Sequence, residues 1–277
     1  MNGILIVNKS EGFTSRDVVN KLSKIFNTKK IGHTGTLDPI AKGVLVVVIG
    51  KYTKLCEALT QTYKEYIATF KLGILTNTLD ITGKILDEKD VTVNEEEIRN
   101  VIASYKCVYD QEVPIYSSVK INGKKLYEYA RSGENVVLPK RKVDIKNIEV
   151  IDINKDIVKI KCLVSKGTYI RSLIRDIGSS LNTFATMTDL IRTKQGIFDI
   201  SDSYTLEDIE NGNYKLIDIE DVMDVCVIDN DAYLKDVSNG VKLKLDVKNE
   251  YILFKHENEN IALYKKDNDY FRMYIHF

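Results

Sequence analysis

The chain has 277 residues, 44% of them hydrophobic, which suits one large folded domain or one domain with a small module. Its 40 basic and 40 acidic side chains leave no net charge, so the overall basic balance common in nucleic-acid-binding proteins is excluded. With no run of about 18 apolar residues and no N-terminal apolar segment, we expect neither a membrane span nor secretion. The four cysteines form no CxxC pair, so we expect buried, reduced thiols in a cytoplasmic protein and no metal site.

The first half of the chain predicts strands and helices in mixed order, from the spacing of its apolar residues. Asn94 followed by Glu97 predicts a capping box at the start of one helix. In chain order, the predicted elements are a strand at 4–7, a helix beginning at Thr14 or Ser15, a loop around Asp38, a strand at 44–49, a short helix at 53–59, a strand at 66–72 and a helix from Asn94 to about Tyr105.

The second half continues this mixture. Residues 119–145 are basic and contain turn-forming residues, so we expect a surface excursion rather than core. After them we predict a strand at 158–164, a helix beginning at Thr168 or Tyr169, a short helix from Thr205 and a β-rich tail at 228–277. Strands and helices do not alternate as in βαβ units, and the predicted fold class is therefore α+β.

Charge is unevenly distributed along the neutral chain. Residues 1–79 carry a net charge of +6 and residues 115–175 a net charge of +8, whereas residues 199–236 carry −10. A basic face that contacts phosphates is typical of RNA-binding proteins. A solvated lysine-rich surface without a partner is the alternative, and clustering alone decides little between them.

One carboxylate stands in an unusual loop. The stretch GHTGTLDPIAKG, residues 32–43, places Asp38 among three glycines and a proline, just before an apolar strand. Glycine and proline fix a loop that aims a side chain at a target, although aspartate is also a common turn residue. A phosphate-binding P-loop is excluded because its glycine and lysine spacing is absent.

Two further motifs carry chemically suitable side chains. In KEYIA, residues 64–68, Tyr66 either packs within a strand or stacks on an unpaired base. In SKGTYIR, residues 165–171, Lys166 lies where a strand leads into a helix, a position that favours anions. Arg171 in the same motif can bind a carboxylate through two parallel hydrogen bonds, or it is an ordinary surface arginine.

The basic stretch 114–133 mixes cations with tyrosines, which suits a surface that contacts an RNA backbone, although a charged hairpin without a partner would look the same. Its candidate RNA-backbone residues are Lys120, Lys124, Lys125 and Arg131. Further along, Leu190 lies in a block running to Phe198 and on its own predicts a core residue.

These five blocks resemble the TruB family of bacterial tRNA pseudouridine-55 synthases, and they follow one another along residues 3 to about 200 in the order found in that family. The resemblance implies a pseudouridine synthase fold, with a mixed, largely antiparallel central sheet flanked by helices and a small β-rich PUA-like module. We expect a catalytic domain at 1–225, with 119–145 as an RNA-gripping thumb, and the module at 226–277. The chain departs from the family pattern at Ser10, Val113 and Ile191.

The resemblance also assigns roles. It implies that Asp38 is catalytic, that Arg171 pairs with it and that Tyr66 lies on the target uracil and is a candidate for handling a proton. Tyr169 would border the uridine and Leu190 would contact it. His33 would fill or border the space left by the flipped base, or it is a hydrogen-bonded turn histidine.

The function implied is the isomerisation of the uridine at position 55, in the T-loop of tRNA, to pseudouridine. This reaction involves no redox change or net hydrolysis, so we expect no cofactor. The partner would be the T-arm of tRNA, bound by a monomer in the cytoplasm. The alternatives are a non-catalytic RNA-binding module and a nucleoside glycosidase; the latter needs two carboxylates around the bond, and the matched pocket motifs offer no second acid.

Overall fold

The computed structural model describes residues 1–60 and 62–277. Its α-helices are α1 Ser15–Ile25, α2 Cys56–Thr60, α3 Glu95–Ser104, α4 Leu126–Ser132, α5 Ile170–Ser180, α6 Leu206–Glu210 and α7 Leu234–Ser238. Short 3₁₀ helices cover Gly50–Leu55, Ile200–Asp202 and Asp231–Tyr233.

The strands form one large sheet, one C-terminal sheet and two small hairpins. They are β1 Gly3–Lys9, β2 Ile31–His33, β3 Lys42–Ile49, β4 Lys64–Leu72, β5 Ile74–Thr76, β6 Ile85–Glu88, β7 Val108–Glu112, β8 Lys120–Ile121, β9 Lys124–Lys125, β10 Lys140–Asn154, β11 Ile157–Val164, β12 Ala185–Gln195, β13 Phe198–Asp199, β14 Val225–Asp229, β15 Tyr251–His256, β16 Glu259–Asp267 and β17 Tyr270–His276.

The central sheet runs in the order β1-β3-β12-β4-β11-β10-β7, with β2 beside β3 and β13 beside β12. Its pairs are antiparallel except that between β12 and β3, which is parallel. The mixed, largely antiparallel sheet and the α+β class predicted from the sequence are thus confirmed. The parallel contact needs Gly43, because a Cβ there, at φ +97°, would lie 2.3 Å from the carbonyl oxygen of Arg192.

The two faces of the sheet are covered differently, as the period-two alternation of its strands requires. In β1, Leu5 and Val7 face the core that also contains apolar residues of α1, α3 and α5. Ile4 and Ile6 face the opposite core, which includes Leu253 of the C-terminal sheet. Helices therefore flank one face, and the β-rich C-terminal domain, in strand order β14-β15-β16-β17, packs near the other.

Capping residues begin the helices where the sequence predicts. Thr14 and Asp17 form a capping box at α1, Asn94 and Glu97 form one at α3, and Thr205 caps α6. The predicted helix at 53–59 is instead a 3₁₀ turn followed by the five residues of α2. No helix in the described ranges is long and apolar enough to cross a membrane.

Two predictions about burial were wrong. The basic segment 119–145 is not wholly a surface excursion, because its last residues begin β10, where Val143 and Ile145 are each 1% exposed. Three consecutive basic residues, 140–142, are exposed at the start of this strand, and the buried positions begin only at Val143. The four cysteines are free thiols, but only Cys162 is buried and Cys107 is exposed, since it lies in the turn that precedes β7.

Candidate active site

A cavity of about 340 Å³ opens where the Asp38 loop, β4, β12 and the start of α5 meet. Six of the residues singled out from the sequence line it, namely Asp38, Tyr66, Lys166, Tyr169, Arg171 and Leu190. They come from four segments that are distant along the chain, and the sheet order places these segments side by side. The fold therefore brings together most of the predicted site.

Hydrogen bonds from Lys9 and Ser15 hold the Asp38 loop in place. Lys9 is fully buried, and its ammonium group donates hydrogen bonds to the carbonyl oxygens of Phe13 at 2.6 Å and Pro39 at 3.3 Å. Burial lowers the pKa of Lys9 to about 8. The hydroxyl of Ser15 accepts from the Leu37 N–H at 2.9 Å, so α1 and the loop hold each other in place.

Asp38 and Arg171 form a two-pronged ion pair. Nε of Arg171 donates to one carboxylate oxygen of Asp38 at 2.9 Å, and an NH2 hydrogen bond reaches the other oxygen at 3.2 Å. The arginine side chain is only 5% exposed, whereas that of Asp38 is 35% exposed and borders the cavity. The guanidinium thus fixes the carboxylate geometrically and stabilises its charge.

The remaining donors of Arg171 are also used. They reach the carbonyl oxygens of Thr78 at 2.8 Å and Tyr116 at 3.0 Å, two loops that follow different strands. Satisfying a buried guanidinium on every side makes its orientation rigid. Arg171 therefore joins the Asp38 loop to both neighbouring segments.

A second acid lies behind this pair, contrary to the expectation from the motifs. Asp80 is 8% exposed, and its carboxylate lies 3.8 Å from NH1 of Arg171. It accepts hydrogen bonds from the Thr78 hydroxyl at 2.9 Å and the Thr82 N–H at 3.1 Å. Because Asp80 does not line the cavity, it faces the arginine rather than a ligand. A turn-forming Thr-x-Asp-x-Thr pattern was the signal available in the sequence.

Aromatic and apolar walls complete the cavity. Tyr66 is 7% and Leu190 is 5% exposed, and Ala68, beside them, pairs with Leu190 across β4 and β12. Burial raises the pKa of the Tyr66 hydroxyl, an effect that the nearby guanidinium of Arg192 partly opposes. The hydroxyl therefore keeps its proton at neutral pH. Tyr169, the residue that caps α5, closes another side.

His33 lies outside the cavity lining. It ends β2, and its Nδ1 accepts a long hydrogen bond, 3.4 Å, from the N–H of Gly35. Burial, followed by the charges of Arg192 and Arg16, lowers its pKa, so the ring is neutral at pH 7. These contacts match the second interpretation of His33 given in the sequence analysis, a hydrogen-bonded turn histidine.

The four cations of the basic stretch also lie outside the cavity lining. Lys124 pairs with Glu134 at 2.6 Å and lies over the ring of Tyr129. Lys125 and Arg131 both lie against the ring of Tyr127, at 5.4 and 5.3 Å, whereas Lys120 is exposed at the start of β8. Tyr127 does line the cavity, so this segment, 119–139, adjoins its mouth.

Gln111 is a buried residue that the sequence analysis missed. Its side-chain oxygen accepts the backbone N–H of Tyr169 at 2.8 Å, and its amide nitrogen donates to the hydroxyl of Tyr109 at 2.7 Å. It thereby satisfies the backbone N–H of the N-cap residue of α5, a helix that has no side-chain cap of its own. A lone glutamine in an otherwise polar strand gave no signal of this role.

Lys64 and Arg192 also line the cavity, although the sequence analysis gave them no role. Each lies two residues from a residue that was given one, Lys64 before Tyr66 and Arg192 after Leu190. Arg192 is 1% exposed and donates to the carbonyl oxygens of Val44 at 2.6 Å and Gly35 at 3.0 Å. Within residues 1–60 and 62–277 no three histidine, cysteine or acidic side chains group together as metal ligands would.

Comparison with known proteins identifies the family. Residues 23–170 match the model of the TruB family pseudouridylate synthase N-terminal domain, and residues 171–236 match that of the tRNA pseudouridylate synthase B C-terminal domain. The tRNA pseudouridine synthase B of Caldicellulosiruptor saccharolyticus is 39% identical over 98% of this chain and 100% of its own. That of Clostridium novyi is 42% identical over 95% of each chain.

Solved structures of similar fold are found as well. A chain in the crystal structure of a Cbf5-Nop10-Gar1 complex has a TM-score of 0.69 and 27% identity, covering 95% of this chain and 78% of its own. A chain in an H/ACA RNP bound to a substrate RNA has a TM-score of 0.70 at 24% identity, covering 99% of this chain and 83% of its own, and shares the fold. With matched family models spanning residues 23–236 and relatives aligned along nearly its whole length, this chain belongs to the TruB family of pseudouridylate synthases.

Proposed function

We propose that this enzyme converts the uridine at position 55, in the T-loop of tRNA, to pseudouridine, with Asp38 as the catalytic residue. The observation that carries the proposal is the Asp38 carboxylate at the cavity, held at both oxygens by the buried Arg171. Two relatives aligned over most of the chain are named tRNA pseudouridine synthase B, which supports tRNA as the substrate.

The reaction breaks the C1′–N1 bond, turns the uracil and forms a C1′–C5 bond, while N1 gains a proton and C5 loses one. A uridine within folded RNA reaches the cavity only after flipping out of its stack, at a cost of a few kcal/mol. Tyr66 stacks on the uracil, Leu190 and Tyr169 border it, and Asp38 attacks either C1′ or the ring. The protonated hydroxyl of Tyr66 is available to exchange a proton.

Each of the remaining assignments has a place in this scheme. The thumb segment 119–145 and Lys166 bind the RNA backbone of the T-arm, and residues 226–277 form an additional PUA-like RNA-binding module. The protein acts as a monomer in the cytoplasm, where its free thiols stay reduced. His33 borders the space left by the flipped base. Asp80 acts on Arg171, so it does not provide the substrate-facing second carboxylate of a glycosidase.

The test is incubation of the purified protein with an unmodified tRNA transcript, followed by base-resolved detection of pseudouridine. We expect one modified position, 55, and no modification of a transcript carrying cytidine there. Free uracil with an abasic site would instead indicate a glycosidase. Binding without any change in the RNA would indicate a non-catalytic module and overturn the proposal.

A further inference from the structure

Two buried cations line the cavity without a carboxylate partner. Arg192 is 1% and Lys64 is 7% exposed, and neither has an acidic oxygen within 4.0 Å in the described part of the chain. They lie close together, because a Cβ placed on Gly35 would be 3.4 Å from both NH1 of Arg192 and Cε of Lys64. Arg171, which also lines the cavity, is by contrast matched by Asp38 and Asp80.

The existing contacts of these cations are incomplete. Within residues 1–60 and 62–277, the Lys64 ammonium group donates only to the carbonyl oxygens of Thr60 and Thr62, at 3.4 and 3.3 Å. Arg192 donates from Nε and NH2 to backbone carbonyl oxygens, and its guanidinium also lies beside the Tyr66 hydroxyl, so its described partners are neutral groups. A buried charge without a counter-charge is costly, and a ligand that supplies the missing charge removes that cost on binding.

The charges of the lining residues also indicate that the cavity favours an anion. Burial, followed by the charges of Arg192 and Lys166, lowers the pKa of Lys64 to about 8. An arginine cannot relieve the strain by losing its proton. Asp38 alone does not balance a lining that contains Lys64, Lys166, Arg171 and Arg192, so the cavity lining carries excess positive charge.

We propose that Lys64, Arg192 and Lys166 form a phosphate-binding subsite that holds one of the two backbone phosphates flanking the flipped nucleotide. The inference rests on the proposed function, since RNA is what brings a phosphodiester to this cavity. Two buried cations and one exposed lysine suit a single anionic group, with Arg192 as the planar donor and the lysines as point charges. The subsite anchors the sugar while the uracil turns.

Lys64 is the residue to change, because Arg192 also supports the backbone of Val44 and Gly35 and its loss could unfold the loop. We compare Lys64→Met, which removes the charge, with Lys64→Arg, which keeps it. Lys71→Met is the matched control, since Lys71 lies on the same strand but outside the cavity, where it pairs with Asp156.

The RNA probe is a T-arm stem-loop with one neutral methylphosphonate, either 5′ or 3′ of the target uridine. With native RNA we expect Lys64→Met to weaken binding by about tenfold, and Lys64→Arg and Lys71→Met to change it by less than about twofold. One methylphosphonate should weaken binding to the unsubstituted protein by about tenfold, yet weaken binding to Lys64→Met by less than about twofold, as a coupled pair requires.

Two results would overturn the subsite. In the first, the methylphosphonate weakens RNA binding to the unsubstituted protein and to Lys64→Met equally at both linkages. In the second, it weakens binding at neither linkage. Filter-retention binding reads this coupling without any turnover. Pseudouridine formation on native RNA is scored separately, so that coupling without product would refute the proposed function alone, and product without coupling would refute the subsite alone.

Discussion

The cavity and the segment 119–139 are both basic, but they hold their cations in opposite ways. Arg171 and Arg192 are 5% and 1% exposed and are fixed by residues 55–157 positions away in the sequence. Lys124, in the segment, has a side chain 31% exposed and pairs with Glu134, ten residues away. The cavity is built by the whole fold, whereas the segment is built mostly from its own residues.

This difference separates two tasks. A cation held by long-range contacts in a low-dielectric site can fix the position of a reacting group to a fraction of an ångström. An exposed cation with local partners contributes charge to binding but little geometry. We therefore expect substitutions of Asp38 and Arg171 to change the rate of the chemical step, and substitutions in the segment to change affinity for RNA.

The largest effect is expected from Asp38→Asn, which removes the charge but little volume. Pseudouridine formation should fall by about a thousandfold or more, equivalent to about 4 kcal/mol of transition-state stabilisation. Binding of tRNA, measured by filter retention, should stay within about threefold, because Asp38 contributes no attraction to phosphate. Turnover close to that of the unsubstituted protein would refute the assignment of Asp38.

Arg171→Lys should follow, with a loss of about a hundredfold in the single-turnover rate, since a point charge cannot replace the planar fork to Asp38. Arg175→Lys is the matched control one helical turn along α5, where the arginine pairs with Glu112 at 2.9 Å outside the cavity. Similar losses in both variants would mean that helix stability, rather than the Asp38 contact, is responsible.

A smaller effect is expected from Gln111→Met, which leaves the Tyr169 N–H without its acceptor. The free energy of unfolding should fall by about 1–3 kcal/mol, and the single-turnover rate should fall by less than in Arg171→Lys, because the ion pair itself is intact. Urea unfolding and rate measurements check both. Asp110→Asn, at the exposed neighbour on β7, should change neither quantity.

The smallest effect on chemistry is expected from replacing Lys124, Lys125 and Arg131 together with alanine. Affinity for tRNA should fall, and the slope of log affinity against log salt concentration should become shallower by about two. The change is about two rather than three because Lys124 is already paired with Glu134. The matched control replaces Lys84, Arg99 and Lys106, which lie in the acidic stretch 80–114. If both triple variants bind alike, the segment is not the grip and the C-terminal module becomes the better candidate.

The sequence predicted the site better than the sheet that carries it. The predicted site residues lie in short sequence blocks whose composition reflects local geometry. Four of them line one cavity, namely Asp38, Tyr66, Arg171 and Leu190. The central strand β12 was not predicted, because its buried Arg192 and Gln195 interrupt the apolar pattern of a core strand. Those polar residues are buried only because the Asp38 loop lies over them and accepts their hydrogen bonds.

The residues that the sequence analysis missed share one property. Asp80 and Gln111 contact partners 91 and 58 residues away along the chain, and Lys64 lies beside Arg192, which is distant in the sequence. Residue type and spacing do not encode such contacts, since each of these side chains is also common on protein surfaces. The β10 strand was obscured similarly, by bulges that break its alternation.

The claim that the Asp38–Arg171 pair carries the chemistry and that the segment 119–139 contributes affinity for RNA is tested most directly by single-turnover rates at saturating protein, measured on unmodified tRNA. At saturation, the Lys124, Lys125 and Arg131 triple variant should form pseudouridine within about threefold of the unsubstituted rate, whereas Asp38→Asn should form none above background. A triple variant that remains slow when all tRNA is bound, or an Asp38→Asn protein that turns over, would contradict the account.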